Sequence, residues 1–179
     1  RVDEKGSRAA EEGVSIPVMK EATLMLLTWP GAPTLYYGDE AGVCGFTDPD
    51  NRRTYPWGRE NRELIDFHRD MINVHKRLTP LKNGSFMFLK CERDLVSYGR
   101  FDDDGAVIVV VNSGDITLNV EIPVWKAGVP MECELKQKMI TNEEGYSIFP
   151  LEVPVKNGML KRNITPFEAA IYSVEFNKN

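Results

Sequence analysis

At 179 residues, 42% of them hydrophobic and 27% charged, the chain is long enough for one full domain, or for one domain and a piece of another. A net charge of −5 argues against binding driven by nucleic-acid phosphates, and no apolar run approaches a membrane span, the longest, Ala106 to Val111, being strand-sized. Three cysteines, Cys44, Cys91 and Cys133, lack metal-ligand spacing and give no disulfide framework, which favours a soluble protein in a reducing, cytoplasmic setting. The chain opens on Arg1 without a signal-peptide pattern and reads as a fragment of a longer protein.

Residues 1–14 are charged, carry no apolar period and read as a loop or mobile end. A helix follows. Ser15 is its cap, Pro17 suits its first turn, and Val18, Ala22, Met25 and Leu26 recur near helical spacing until Trp29-Pro30-Gly31 stops it. Thr34 to Tyr37 is a short β-rich run, followed by a long loop from Gly38 to Arg59. A second helix spans roughly Asn61 to Leu78, with Leu64, Phe67 or His68, Met71, Val74 or His75, and Leu78 in one stripe.

Beyond Thr79-Pro80 the pattern changes. Strand-like segments occupy Ser85–Cys91, Leu95–Phe101, Ala106–Asn112, Thr117–Ile122, Met131–Met139, Tyr146–Phe149, Leu151–Val155 and Ala169–Phe176. Turn signals separate them at Asp102–Gly105, Asn112–Asp115, Glu143–Gly145 and Asn157-Gly158. Short strands at this spacing predict an antiparallel β-sandwich of the Greek-key kind, in a chain that is mainly β.

The stretch Pro30–Trp57 carries the densest chemistry. A strand feeding a loop rich in Asp, Arg and aromatic residues is how barrel enzymes build binding sites, and these residue types suit a sugar. Gly31, Pro33, Tyr37, Gly38 and Glu40 match the G-x-P-x-x-x-Y-G-x-E block of the α-amylase superfamily of glycoside hydrolases. The run Asp48-Pro49-Asp50-Asn51-Arg52-Arg53 resembles the neopullulanase and oligo-glucosidase branch. The resemblance implies that residues 1–82 are the C-terminal helix–strand–helix piece of a catalytic (β/α)8 barrel and residues 83–179 its C-terminal β-sandwich. The motifs cover roughly residues 15–80. Over the sandwich only order and length match.

Glycoside hydrolysis needs two carboxyl groups flanking one bond, about 5 Å apart in retaining enzymes. Asp39 and Glu40 are neighbours at a predicted strand end, where side chains point to opposite faces, so they fit loop anchors better. The superfamily's catalytic acids lie on earlier barrel strands, upstream of Arg1. The resemblance therefore implies no catalytic residue here and an inactive fragment. It also implies that Asp48 and Arg52 contact the donor-side glucose. An Arg fork with a carboxylate four residues away can clamp vicinal hydroxyls, or the two can simply pair and stiffen the loop. Arg53 is a candidate solvated charge.

Tyr55 and Trp57 share a Pro-containing turn and are candidates for a stacking wall, against the commoner role of packing under the loop. Tyr36 and Tyr37 face opposite ways if the run is a strand. His68 and His75 lack converging ligands and read as core or surface histidines, and Asp102–Gly105 reads as a hairpin turn rather than a calcium loop. No metal or cofactor is expected.

Two functions compete. One is the C-terminal part of a retaining α-glucan hydrolase, supplying one wall of the site for an α-glucan or malto-oligosaccharide. The other is a non-catalytic carbohydrate-binding or interaction module built on the sandwich. An independent module has no need of two amphipathic helices, whose apolar faces must be buried. In a fragment those faces pack on the sandwich, unfold, or invite a homodimer through the exposed barrel remnant.

Overall fold

The computed structural model describes residues 12–46 and 48–176, so most of the predicted N-terminal loop lies outside the described residues. Two long helices come first, α1 (Ile16–Thr28) and α2 (Arg62–Arg77), then a short α3 (Thr79–Asn83). Among the described residues nine strands follow: β1 (Ser85–Cys91), β2 (Leu95–Phe101), β3 (Gly105–Asn112), β4 (Leu118–Pro123), β5 (Cys133–Asn142), β6 (Gly145–Ser147), β7 (Glu152–Lys156), β8 (Met159–Ile164) and β9 (Glu168–Glu175).

Each helix begins where its cap stands. Ser15 Oγ accepts from Val18 N at 3.4 Å, with Pro17 in the first turn, and Asn61 Oδ1 accepts from Leu64 N at 3.1 Å. Thr79-Pro80 ends α2 as expected, but it also starts α3, because proline at the head of a helix forfeits only an N–H that has no partner there.

The strands form one antiparallel sheet ordered β1-β2-β3-β9-β5-β7-β8-β4, with β6 paired to β5. The expected antiparallel β unit is present. It is one continuous sheet that curls nearly into a barrel around a single core, rather than two separate stacked sheets. Leu95, Ile108, Val110, Val120, Ile122, Leu135, Leu160 and Tyr172 share that interior.

Strand β8 was not expected, since Lys161, Arg162 and Asn163 mask its alternation. Leu160 and Ile164, on either side of them, point inward. The two-residue turn Asn157-Gly158 has φ of 52° and 71°, the left-handed pair that a tight hairpin demands. Gly158 is needed twice over, because a Cβ there would sit 2.8 Å from Trp125.

β3 reads as an unbroken Val/Ile run because all of it is buried. Ala106, Ile108 and Val110 face the sheet interior. Val107, Val109 and Val111 face outward, into a second core with Leu24, Leu27, Phe67, Met71, Leu81, Met139 and Ile171. The helices therefore close the outer face of β2-β3-β9-β5.

The junction is tied by polar groups as well. Arg100 on β2, 2% exposed, donates to the carbonyls of Thr28 and Gly84 at 3.0 Å each and of Ser85 at 3.3 Å. Tyr98 and Thr28 share a hydroxyl hydrogen bond of 2.6 Å, and burial pushes the Tyr98 phenol up to about 12. Trp29 meets Tyr98 and Phe88 edgewise and Phe86 at a tilt beside them.

The two long helices run parallel. Lys20 pairs with Glu63 at their starts, and His75 Nδ1 meets the Leu27 carbonyl at 2.7 Å near their ends. His68 is buried with Nδ1 on the Leu64 carbonyl at 2.7 Å, so both histidines have the structural placement expected of them. No helix among the described residues is long and apolar enough to cross a membrane.

Candidate functional site

The predicted strand at Thr34–Tyr37 does not form. Residues 32–36 take no regular structure, and no neighbouring strand among the described residues offers them a ladder. Tyr36 and Tyr37 consequently do not face opposite ways. Their rings stack at 4.8 Å, tilted by 40°, and both are half exposed. The Tyr37 hydroxyl donates to the Arg53 carbonyl at 2.9 Å, tying the start of the loop to its middle.

Asp39 and Glu40 lie in a single helical turn, Asp39–Ala41, entered through Gly38 at φ 93°. The Glu40 carboxylate accepts from Gly38 N at 3.0 Å, which is the anchoring role expected of this pair. Gly45 lets the two halves of the loop touch, since a Cβ there would fall 2.7 Å from Asn51 Cα. The remaining loop is closed by backbone turns, Arg52 N to Pro49 O at 3.0 Å and Arg59 N to Pro56 O at 2.8 Å.

Asp48 and Arg52 form an ion pair at 2.6 Å, with the arginine side chain 69% exposed and the aspartate 59% exposed. The pair stands beside Tyr37, whose phenol is raised first by desolvation and by Tyr36, and drawn back by the Arg52 charge. Tyr55 and Trp57 are in ring contact at 4.6 Å with a 49° tilt, and Trp57 is 81% exposed. The Tyr55 phenol is raised by desolvation and by the nearby carboxylates of Glu40 and Glu60. Backbone N–H groups of Glu60 itself and Gly58 hold the Glu60 carboxyl below its usual range.

The four residues singled out from sequence thus fall into two pairs. Each pair is made, and each is open to solvent. The cleft beside them, about 500 Å³, is lined instead by Ala41–Cys44, Arg53, Thr54, Pro56 and Arg59. Arg53 is half-buried along this cleft rather than a solvated surface charge. Sequence reasoning missed Thr54 and Arg59. Neither stands in a motif, and only the closure of the loop brings them to one cleft. The chemistry on offer is a guanidinium and carboxylate fork, two aromatic pairs and a polar cleft, which suits a hydroxylated ligand with flat apolar faces.

Comparison with known proteins finds clear homologues. No family model matches the chain. An amylopullulanase of Thermoanaerobacter thermohydrosulfuricus is 34% identical over 157 residues, covering 80% of this chain and 11% of that protein. Neopullulanase 2 of Thermoactinomyces vulgaris is 31% identical over 156 residues, covering 84% of this chain and 24% of that protein. The chain is a homologue of α-amylase-superfamily glycoside hydrolases. The fold agrees: an Anoxybacillus α-amylase superposes with a TM-score of 0.77 over 97% of this chain and 36% of that one, at 23% identity. The chain spans well under a third of the length of the curated relatives just named.

Proposed function

We propose that this chain is the C-terminal part of a retaining, α-glucan-active glycoside hydrolase. Residues 1–82 are the last piece of its catalytic barrel and residues 83–179 a β domain that shields it. One observation carries the reading: α1 and α2 are parallel neighbours, so the chain between them must return from the end of one to the start of the other. Successive parallel helices with a return between them are the outer-ring geometry of a (β/α)8 barrel.

A second feature supports it. α1 buries Leu24 and Leu27 on the sheet, yet leaves Val18, Ala22 and Leu26 exposed at i, i+4, i+8. That apolar stripe is the face on which the rest of a barrel would dock, and without it a second copy of the chain could take its place.

In this reading the Asp48–Arg52 fork binds sugar hydroxyls on the donor side, and Tyr55 and Trp57 add a stacking wall. The reacting carboxylates come from the preceding part of the enzyme. They form and then hydrolyse a glycosyl–enzyme intermediate, while this chain orients the sugar. The relatives named for pullulan and cyclodextrin chemistry support α-1,4 or α-1,6 glucosidic bonds as the target. Hydrolysis assays on pullulan and cyclodextrin test the proposal. The longer enzyme should be active and the 179-residue chain inert. A chain that hydrolyses either substrate alone, or a longer enzyme without glucanase activity, overturns it.

A further inference from the structure

We propose that the groove between α2 and the β5–β7 side of the sheet is a second α-glucan-binding site, distinct from the loop at 38–59; it rests on the glucan-active reading above. The groove encloses about 300 Å³, at the small end of ligand sites. Asp70, Asn73 and Arg77 reach it from one face of α2 at i, i+3 and i+7, and Lys138 reaches it from β5. Its apolar wall is Val74 with Ile148 and Pro150.

The polar groups are not consumed by the fold. Among the described residues, the side chains of Asn73, Arg77 and Lys138 make no hydrogen bond or ion pair. Solvated surface cations are common, so this alone would mean little. What differs here is the wall they face. Gln137, 2% exposed, donates from its backbone to the Leu151 carbonyl at 2.7 Å and from its side chain to the Phe149 carbonyl at 3.2 Å. Ser147 Oγ accepts from Phe149 N at 3.1 Å. The segment is therefore pinned while Ile148, Phe149 and Leu151 stay at least half exposed. Asp70 is pinned too, by the Tyr146 hydroxyl at 2.9 Å.

The shape fits a chain rather than a single sugar. A neighbouring depression shares Asp70, Ile148 and Pro150 with the groove and continues to Tyr146 and Phe149. A linear ligand can run from Arg77 past Asp70 to the exposed Phe149 ring. Donors on both sides, one carboxylate acceptor and an apolar wall suit a neutral polyhydroxylated strand. Asp70 offsets one of the two charges of Arg77 and Lys138, which weakens the pull on a phosphate and makes phosphate the competing occupant to test.

The test is an amide-shift titration of the isotopically labelled chain with maltoheptaose and, separately, with inorganic phosphate. Maltoheptaose should move Asn73, Arg77, Lys138 and Phe149. An Asn73→Ala/Arg77→Ala double variant should weaken that binding about tenfold or more with its melting temperature unchanged, since two hydrogen bonds are lost and neither holds the fold. Shifts confined to residues 48–57, no shifts, or groove shifts with phosphate but not maltoheptaose would overturn the proposal. Pullulan hydrolysis by the longer enzyme is scored alongside. An active enzyme with a silent groove sinks the groove and leaves the glucanase reading standing.

Discussion

Arg100 lies on β2 with 2% of its surface exposed and its guanidinium on three backbone carbonyls, whereas the Arg52 side chain is 69% exposed and pairs with Asp48 in a solvated loop. The two sites use one chemical group under different dielectric conditions. At the junction of helices and sheet, water is excluded, so each missing partner would strand a carbonyl and the arrangement is fixed by the fold. In the loop, water competes for both charges, so the pair contributes little to folding and its geometry is available to a ligand. The region that holds the molecule together and the region proposed to bind a sugar should therefore respond to mutation in opposite ways.

The largest effect is expected on the junction side. Phe67→Ala empties a fully buried site under the outer face of the sheet, against Tyr146 and His68, and should cost about 4 kcal/mol. Arg100→Ala removes the N–H donors that the carbonyls of Thr28, Gly84 and Ser85 accept from and should cost about 3 kcal/mol. Urea unfolding midpoints measure both. If either variant unfolds at the wild-type midpoint, the helices are not cooperative with the sheet, and the comparison fails at its first arm.

pH supplies the next test. Burial pushes the Glu21 carboxyl up to about 7 from an ordinary 4.5, and its Oε1 has no hydrogen-bond partner among the described residues. The folded state thus keeps a proton that the unfolded chain releases between those values. Stability should be greatest below about pH 4.5 on this account and should fall as pH rises to about 7, by on the order of 1–3 kcal/mol. Glu21→Gln should flatten that slope. An unchanged slope in the variant would place the pH response elsewhere.

Much of this division is visible in the residues themselves. β1 and β2 are bounded as expected because Gly84, the turn around Asp94 and the Asp102–Gly105 turn punctuate clear β-type runs. The doubly buried β3 announces itself as Val/Ile without alternation. What stayed hidden is long-range. Nothing local says that Arg100 folds inward onto Thr28, since the carbonyls it serves lie up to 72 positions away. β8 stayed hidden because Lys161, Arg162 and Asn163 interrupt its apolar residues, while Arg162 pairs with the buried Glu168. The Thr34–Tyr37 strand was expected from composition, but a strand needs a neighbour as much as a propensity. In the loop, the pairs Asp48–Arg52 and Tyr55–Trp57 follow from short spacing, while the cleft lined by Thr54 and Arg59 depends on how the whole loop closes.

The smallest stability change should come from the solvent-exposed pair of the proposed sugar site. Asp48→Ala removes one member of a pair whose side chains are 59% and 69% exposed, so the loss in unfolding free energy should stay below about 0.5 kcal/mol. In the longer enzyme the same change should raise KM for pullulan or cyclodextrin about tenfold, because a fork that lacks its carboxylate no longer fixes two hydroxyls at once. Arg52→Lys separates positioning from charge. Lysine keeps the cation but loses the planar fork, so it should retain stability and still lose affinity. If Arg52→Lys binds sugar as well as the wild type, the pair acts as a loop brace, and the contrast with Arg100 is one of exposure alone. If both variants lose affinity while their unfolding midpoints stay put, the exposed guanidinium serves the ligand and the buried one serves the fold.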